Sequence, residues 1–552
     1  MGVVERKPGN IIDIFRGPGG VAERIGSGWF GTRLYDMMLG SKGPDHLRGA
    51  PEDHWPGDPE LGRAIMNGHF PVGGASLPVD EKCWRSDWAC PLAREKFESF
   101  TWLRDLRADG TEAALAVSRD LIDGWISAHP RWDAFSWRAD ILGARLAAWI
   151  ANFPFFCPEP RSELRDRVLV SAARQENHLS RVAGAAARDW KRFAALKGLI
   201  YCGVCMPGHE DQLDRGLAML EAELREQILP DGGHCERSPA IHLRVLRHLV
   251  DIRDILILGQ VEQPKSLQGA IDRMAPMLRA FRHGDGGLAL FNDSCEEKTE
   301  VIDLALRQSG VTAKAARSAP HTGFQRLRAG KTTVVVDVGA PPPVGADRRA
   351  HAGILSFEMS SGHERVVVNC GARVDSDPNW RKALRATAAH STIVLNDTNA
   401  MAFGDNGGVA QRPVDVGCQR AEEDGATLVK ADHDGYKSLF GCRVSRAICL
   451  SGDGVILRGE DTVKGSAGRS VAIRFHLHPN VRVSLIQDNS AVLVKTARHQ
   501  GWRFIARGGI VSIEESVYLG SAGVPRKCRQ ILLSTETSGS ETVVNWAFQK
   551  TA

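Results

Sequence analysis

The spacing of apolar residues changes once along this chain, and that change limits the folds open to it. From about residue 95 to 315 the apolar positions recur every three or four residues. Leu213, Leu217, Leu220, Leu224 and Ile228 form one stripe, and Leu267, Ile271, Met274, Leu278 and Phe281 another. Leu142, Leu146, Trp149 and Phe153 form a third, and Leu179, Val182, Ala186, Trp190 and Phe193 predict one further helix. Such a period gives each helix one apolar face. Pro230-Asp231-Gly232-Gly233 stops one helix, and Ser238-Pro239 suits the start of the next. Many helices with short connections predict an antiparallel helical array. No fixed-period repeat makes it a solenoid.

From about residue 325 the pattern shortens. Thr332–Val338, Arg365–Asn369, Thr392–Leu395 and Val481–Ile486 are brief runs rich in β-branched residues, and Ser451-Gly452-Asp453-Gly454 is a turn signal between such runs. This half predicts an antiparallel β-sandwich. The expected organisation is a multidomain α + β chain. A segment over 1–95 wraps a helical domain over 96–315, a join near Gln308–Thr322 follows, and the sandwich occupies 323–552.

Composition excludes several classes. Seventy Lys+Arg against 66 Asp+Glu give a formal charge of +4, without the basic excess of a dedicated nucleic-acid binder. Hydrophobic residues at 43% and charged residues at 25% exclude a disordered chain. The C-x-x-C of Cys202 and Cys205 lacks a second pair, so buried reduced thiols are expected. The opening MGVVERKPGNIIDIF lacks the basic and apolar regions of an export signal, and no apolar run reaches the length of a membrane span. The expected compartment is the cytoplasm.

Ten of the thirteen tryptophans (29, 55, 84, 88, 102, 125, 132, 137, 149 and 190) precede residue 200. They predict core packing, with some also serving as stacking platforms for sugar rings. Three polar clusters stand out. Gln175-Glu176-Asn177-His178 interrupts an apolar helix. The second, His234-Cys235-Glu236-Arg237-Ser238-Pro239-Ala240-Ile241-His242, lies at a helix mouth. It either caps that helix or binds an anionic group through its imidazoles, carboxylate and guanidinium. In the β half, His351 is expected to open a strand and His390 to precede one, and His476 and His478 lie two apart. Imidazoles from separate strands can converge on a metal.

GGHCERSPAIH, FRHGDGGLALFND, HAGILSFEMSSGHERVVVNCG, RATAAHSTIVLND, HDGYKSLFG and FHLHP, in this order over about residues 100–545, resemble the heparinase II/III-like proteins. The resemblance implies an incomplete (α/α) toroid followed by an antiparallel β-sandwich, with a cleft at their junction. It also implies a polysaccharide lyase that cleaves uronate-containing acidic glycans by β-elimination. Such a reaction needs a group to neutralise the uronate carboxylate, a base for the C5 proton and an acid for the leaving oxygen. By this resemblance Asn177 with His178 neutralises the carboxylate. His351, Asn369 and His390 fall where relatives bind a structural divalent metal, zinc or calcium. The reaction itself requires no cofactor, and the resemblance makes the periplasm the alternative compartment.

Two positions depart from the lyase pattern. Ile241 stands where a tyrosine precedes the histidine, and Arg349 and Gly353 replace a histidine and an aspartate at the strand opening. Isoleucine transfers no proton and arginine stays protonated. Compensation falls to His234, His242, Tyr201 or Tyr436 for protons. Arg237 and Arg349 would grip the carboxylate, with Glu236 beside them. The leading expectation is therefore a lyase acting on an acidic polysaccharide or oligosaccharide. The alternative is a non-catalytic glycan-binding or assembly protein that kept the fold. A hydrolase using two of Asp140, Glu176 and Glu236 is the third reading.

Overall fold

A computed structural model describes residues 28–551 apart from 73–74, 81, 87–89, 373–376, 414, 487–489, 499 and 522–523. The opening stretch read for an export signal, and Trp88, lie outside the described residues.

The expected helices form where the apolar stripes predict them. Glu210–Gln227 buries Leu213, Leu220 and Leu224; Lys265–Ala280 buries Leu267, Ile271, Met274 and Leu278; Ala139–Phe156 buries Leu142, Leu146, Trp149 and Phe153. Ser238 caps Pro239–Leu258 by accepting a hydrogen bond from the Ile241 N–H, with Pro239 at the first turn. Ala139–Phe156 and Lys191–Cys205 cross where each has a glycine. A Cβ added at Gly198 would lie 2.4 Å from Gly143 Cα, so the crossing tolerates no side chain there.

One expected helix is two. Glu163–Val182 ends at a 3-10 turn, Ala183–Ala185, and the chain restarts as a helix only at Lys191. Apolar spacing runs through this break because both pieces face the same core.

The N-terminal part packs over the helical array with short elements, including the helices Arg33–Met38 and Pro59–Met66 and a hairpin of His69–Val72 with Ala75–Pro78. Tyr35, Leu39 and Trp55 belong to the main helical core.

The C-terminal half is two stacked antiparallel sheets. One has eight strands and runs from the Val416–Glu423 edge through Arg443–Leu450, Ile456–Lys464 and Glu541–Lys550 to Arg482–Ile486. The other has nine strands and includes Thr332–Asp337, Phe357–Ser361, Glu364–Val368, Ser470–Leu477 and Arg526–Glu536. Phe357 stacks on Trp546 between them, 5.4 Å between ring centroids. His351 does not open a strand; it lies in a loop, and the strand begins at Phe357.

Toroid and sandwich share a buried seam. Phe324 of the first long sandwich strand packs on Phe281 and Phe291 at 5.0 and 5.2 Å. Arg237 crosses the seam, donating to the carbonyls of Thr322, Ala340 and Gly323 and to the Asp337 carboxylate. Arg237 thereby ties the helical turn at 234–239 to the sandwich segments at 322–323 and 337–340.

Candidate functional site

The site begins with Glu236, in the loop that leads into Pro239–Leu258. Its Oε1 accepts the Trp190 N–H at 3.0 Å. From the sandwich side Arg349 reaches over, with Nε 3.8 Å from Glu236 Oε2 and Nη1 3.4 Å from Asp293 Oδ2. One guanidinium thus stands between two buried carboxyls. Burial lifts the Glu236 carboxyl to about 7 despite the opposing charge of Arg349. For Asp293 burial also works upward, but its contacts with His351 and Arg349 outweigh this and hold it at about 2.

A line of histidines continues from Asp293. The Asp293 N–H donates to His351 Nε2 at 3.1 Å, and His351 Nδ1 lies 3.2 Å from His390 Nε2. His390 Nδ1 donates to the Ala386 carbonyl at 2.8 Å, which fixes that nitrogen as the protonated one. His351 then donates through Nδ1 to His390, and its Nε2 faces both the Asp293 N–H and, at 3.3 Å, Asp293 Oδ1. Burial lowers both pKa values. A Cβ at Gly353 would lie 2.6 Å from His390 Cδ2, so the absence of a side chain there makes room for the ring.

Backbone strain gathers here. Arg237, Asn292, Asp293 and Glu297 are non-glycine residues with φ of 56°, 47°, 61° and 59°. Such conformations persist only where surrounding contacts enforce them. Asn292 supplies two: its side-chain amide donates to the Arg237 carbonyl and its Oδ1 accepts the His351 N–H, both at 3.0 Å.

The structure brings Glu236, Arg349, His351 and His390 together with Arg237 beside them. The other expected site residues lie elsewhere. Asn177 donates to the Leu39 carbonyl at 3.1 Å, and His178 Nδ1 accepts from the Tyr35 hydroxyl at 2.6 Å. His178 is enclosed by Phe30, Trp132 and Trp137, and burial lowers its pKa to about 4. His234 bonds to Gln227 and His242 to the Met274 carbonyl, and burial lowers them to about 3 and about 4. Tyr201 is buried in the helical core. Tyr436, expected at the cleft as a proton donor, anchors a turn in the sandwich core through the Ile393 and Thr398 carbonyls. Asn177 is half-buried, and His178, His234, His242, Tyr201 and Tyr436 are buried, away from the Glu236–Arg349 pair.

The expected metal set does not fit an ion. Asn369 donates its amide N–H to the Leu290 carbonyl and accepts the Ser391 N–H at Oδ1, while His351 and His390 bond to each other. Among the described residues no three His, Cys, Asp or Glu side chains are grouped as metal ligands. His476 is likewise taken up by Ser516 and the Ala388 carbonyl. The expected hydrolase carboxylates do not meet: Asp140 is tied to Arg138 and Lys191, and Glu176 to His209. Most of the tryptophans are core residues, with Trp84 stacked on Phe97 and Phe100. Asp293 and Trp190 were not among the expected site residues. The αL-tolerant Asn-Asp pair at 292–293, after the apolar LALF, was the available signal.

Comparison with known proteins gives a consistent result. The family description "Heparinase II/III N-terminus" matches residues 120–312, and "Heparinase II/III-like, C-terminal" matches residues 311–547. The chain is 30% identical over 532 residues to the FtsZ-localized protein C of Caulobacter vibrioides, covering 92% of this chain and 91% of that one. In structure it is similar to heparinase III, with a TM-score of 0.73 over 90% of this chain and 86% of that one at 14% identity. It is also similar to the heparan sulfate lyase HepC of Pedobacter heparinus, with a TM-score of 0.62 over 94% and 87% at 14% identity. At such identity the two structures speak for the fold: a helical toroid joined to a β-sandwich. No helix among the described residues is long and apolar enough to cross a membrane.

Proposed function

We propose, starting from a chain that belongs to the heparinase II/III-like family, that this member holds an acidic sugar group in the seam between toroid and sandwich without cutting the glycan. The observation that carries this reading is the Arg349 guanidinium set between Glu236 and Asp293. A guanidinium is a two-pronged donor for a carboxylate or sulfate and takes no proton from carbon. Glu236, titrating near neutrality, gives up its share of Arg349 to an incoming anion at low cost. Ile241 supplies no phenol, and Asn177 and His178 are engaged by the N-terminal segment.

The relative from Caulobacter is FtsZ-localized by its name. We carry this over as the setting in which such binding would serve: a glycan-binding protein gathered with FtsZ rather than a free-standing degradative enzyme.

One observation favours a second reading, elimination. A carboxyl at about 7 beside a fixed guanidinium is matched to removing a C5 proton at neutral pH while Arg349 neutralises the uronate. Calorimetric titration with oligogalacturonides and heparan-derived oligosaccharides, run alongside ultraviolet absorbance, separates the two. Saturable binding with no unsaturated product supports the proposal. Release of the unsaturated uronate, abolished in Glu236→Gln, would replace it with elimination.

A further inference from the structure

The helix Pro239–Leu258 carries a polar stripe that the seam site does not use. Arg244, Arg247, His248 and Asp251 follow one another at three-, one- and three-residue steps, which puts them on one face. The remainder of the helix is largely apolar and buried in the toroid core. Asp251 is committed, accepting from Trp55 Nε1 at 2.7 Å and from Lys197 Nζ at 2.5 Å.

The two arginines are not committed. Arg244 lies flat over Trp190, 4.5 Å from guanidinium carbon to ring centroid, and Arg247 over Trp55 at 4.3 Å. Among the described residues neither forms an ion pair or a hydrogen bond to a carboxylate, and neither does Lys96, which is close enough to Arg244 to feel its charge. Among the described residues, the acidic group that faces both arginines without an ion pair is Glu297, which accepts from the Cys295 thiol at 3.4 Å. Arg104 is taken by Asp53 at 3.1 Å, and Arg349 is shared between Glu236 and Asp293. Three free cations against one free carboxylate leave an unbalanced positive charge on this wall.

Arg244 is solvent-exposed, yet enough protein surrounds it to lower its pKa, and Arg247 is lowered to about 10 by the same enclosure. Arg349 lies over the same Trp190 ring at 5.8 Å, which sets this wall beside the seam. A guanidinium stacked on an indole face keeps its N–H edge free, in a fixed plane, for bidentate contact. His248, held uncharged among these cations, has both ring nitrogens buried without a partner.

We propose that Arg244 and Arg247 form a two-pronged anion-binding subsite inside the toroid, adjoining the Arg349 seam, that takes a ligand bearing two anionic groups a few ångströms apart. Carboxylate, sulfate and phosphate share this chemistry. A uronate or sulfated sugar unit would supply it within a glycan, and a free diphosphate would supply it without one. The subsite deepens the glycan-binding reading by adding a second anchor, but it stands on its own residues and is tested on its own.

The test titrates the full-length protein with inorganic pyrophosphate, with digalacturonate and, as a single-anion control, with acetate. Both dianions should bind saturably and acetate at least about tenfold more weakly, and Arg244→Gln and Arg247→Gln should each lose about tenfold. Arg244→Lys and Arg247→Lys keep charge and bulk while removing the fork, so they guard against misfolding; they should lose several-fold. Binding of pyrophosphate but not digalacturonate assigns the subsite to free phosphates and removes the glycan reading alone. Acetate as strong as the dianions, or dianion binding unchanged in all four variants, overturns the subsite. Oligosaccharide binding that persists in those variants leaves the seam reading intact.

Discussion

Glu236 Oε2 and Arg349 Nε stand 3.8 Å apart across the boundary between the two halves of the molecule. The carboxyl comes from a turn of the toroid, the guanidinium from a loop of the sandwich. Because that carboxyl titrates at about 7, the charge at the boundary changes in the neutral range while Arg349 stays cationic.

The first prediction concerns stability against pH. The Glu236 pKa is raised from 4.5 in the unfolded chain to about 7 in the folded one. Between these values the folded protein keeps a proton that the unfolded chain has lost. Its contribution is therefore fully present below the lower value and is lost as pH rises through the upper one, by about 3 kcal/mol. Glu236→Gln should remove that fall. Urea unfolding of both proteins at about pH 5 and about pH 8 measures it; equal pH dependence in the two would contradict the buried carboxyl.

A second prediction follows from the bond of 2.6 Å between Tyr35 and His178. Tyr35→Phe leaves the buried His178 Nδ1 without a donor, at a cost of about 1–2 kcal/mol. The change should also loosen the segment whose Leu39 carbonyl holds Asn177. Denaturant unfolding reads the loss, and hydrogen exchange at residues 33–39 reads the loosening. An unchanged midpoint with unchanged exchange would mean that this docking contributes nothing.

Arg237 gives a third. It donates to three carbonyls and to Asp337, all buried at the seam. Arg237→Met removes these bonds and strands the Asp337 carboxylate, which burial already pushes upward. Breaking one side of a buried pair costs about 3–5 kcal/mol. Thermal unfolding should then split, with the sandwich and toroid separating before either melts. A single transition at the unaltered temperature would show that the seam is held by its apolar contacts alone.

The fold was legible because its signal is local. Leu213–Leu224 and Leu267–Leu278 bury the residues their spacing selects, and Ser238-Pro239 caps the helix it precedes. Spacing failed between Val182 and Lys191, where two helices share one core and the stripe runs on through the gap. The site was legible in part. Glu236 and Arg349 stood out at a helix mouth and at a departure from the family pattern. His234, His242 and Tyr436 stood out equally, and nothing in the sequence distinguishes a side chain that bonds a buried carbonyl from one that meets a ligand. Tyr35 was invisible as a partner because His178 lies 143 residues away.

The last prediction returns to the boundary pair. Arg349→Met keeps the length and packing of the side chain but withdraws its charge from both Glu236 and Asp293. Arg349 is what opposes the effect of burial on Glu236, so the carboxyl should titrate above its present value of about 7. The fall of stability with pH should then continue to higher pH than in the unaltered protein. The guanidinium is also the group offered to an acidic sugar, so oligogalacturonide affinity should drop by at least about tenfold, since a charge-assisted bidentate contact is lost. The two effects have one cause and should appear together. A drop in affinity with an unmoved pH profile would place the ligand on Arg349 but dissociate it from Glu236. An upward-shifted profile with full affinity would remove Arg349 from the binding site.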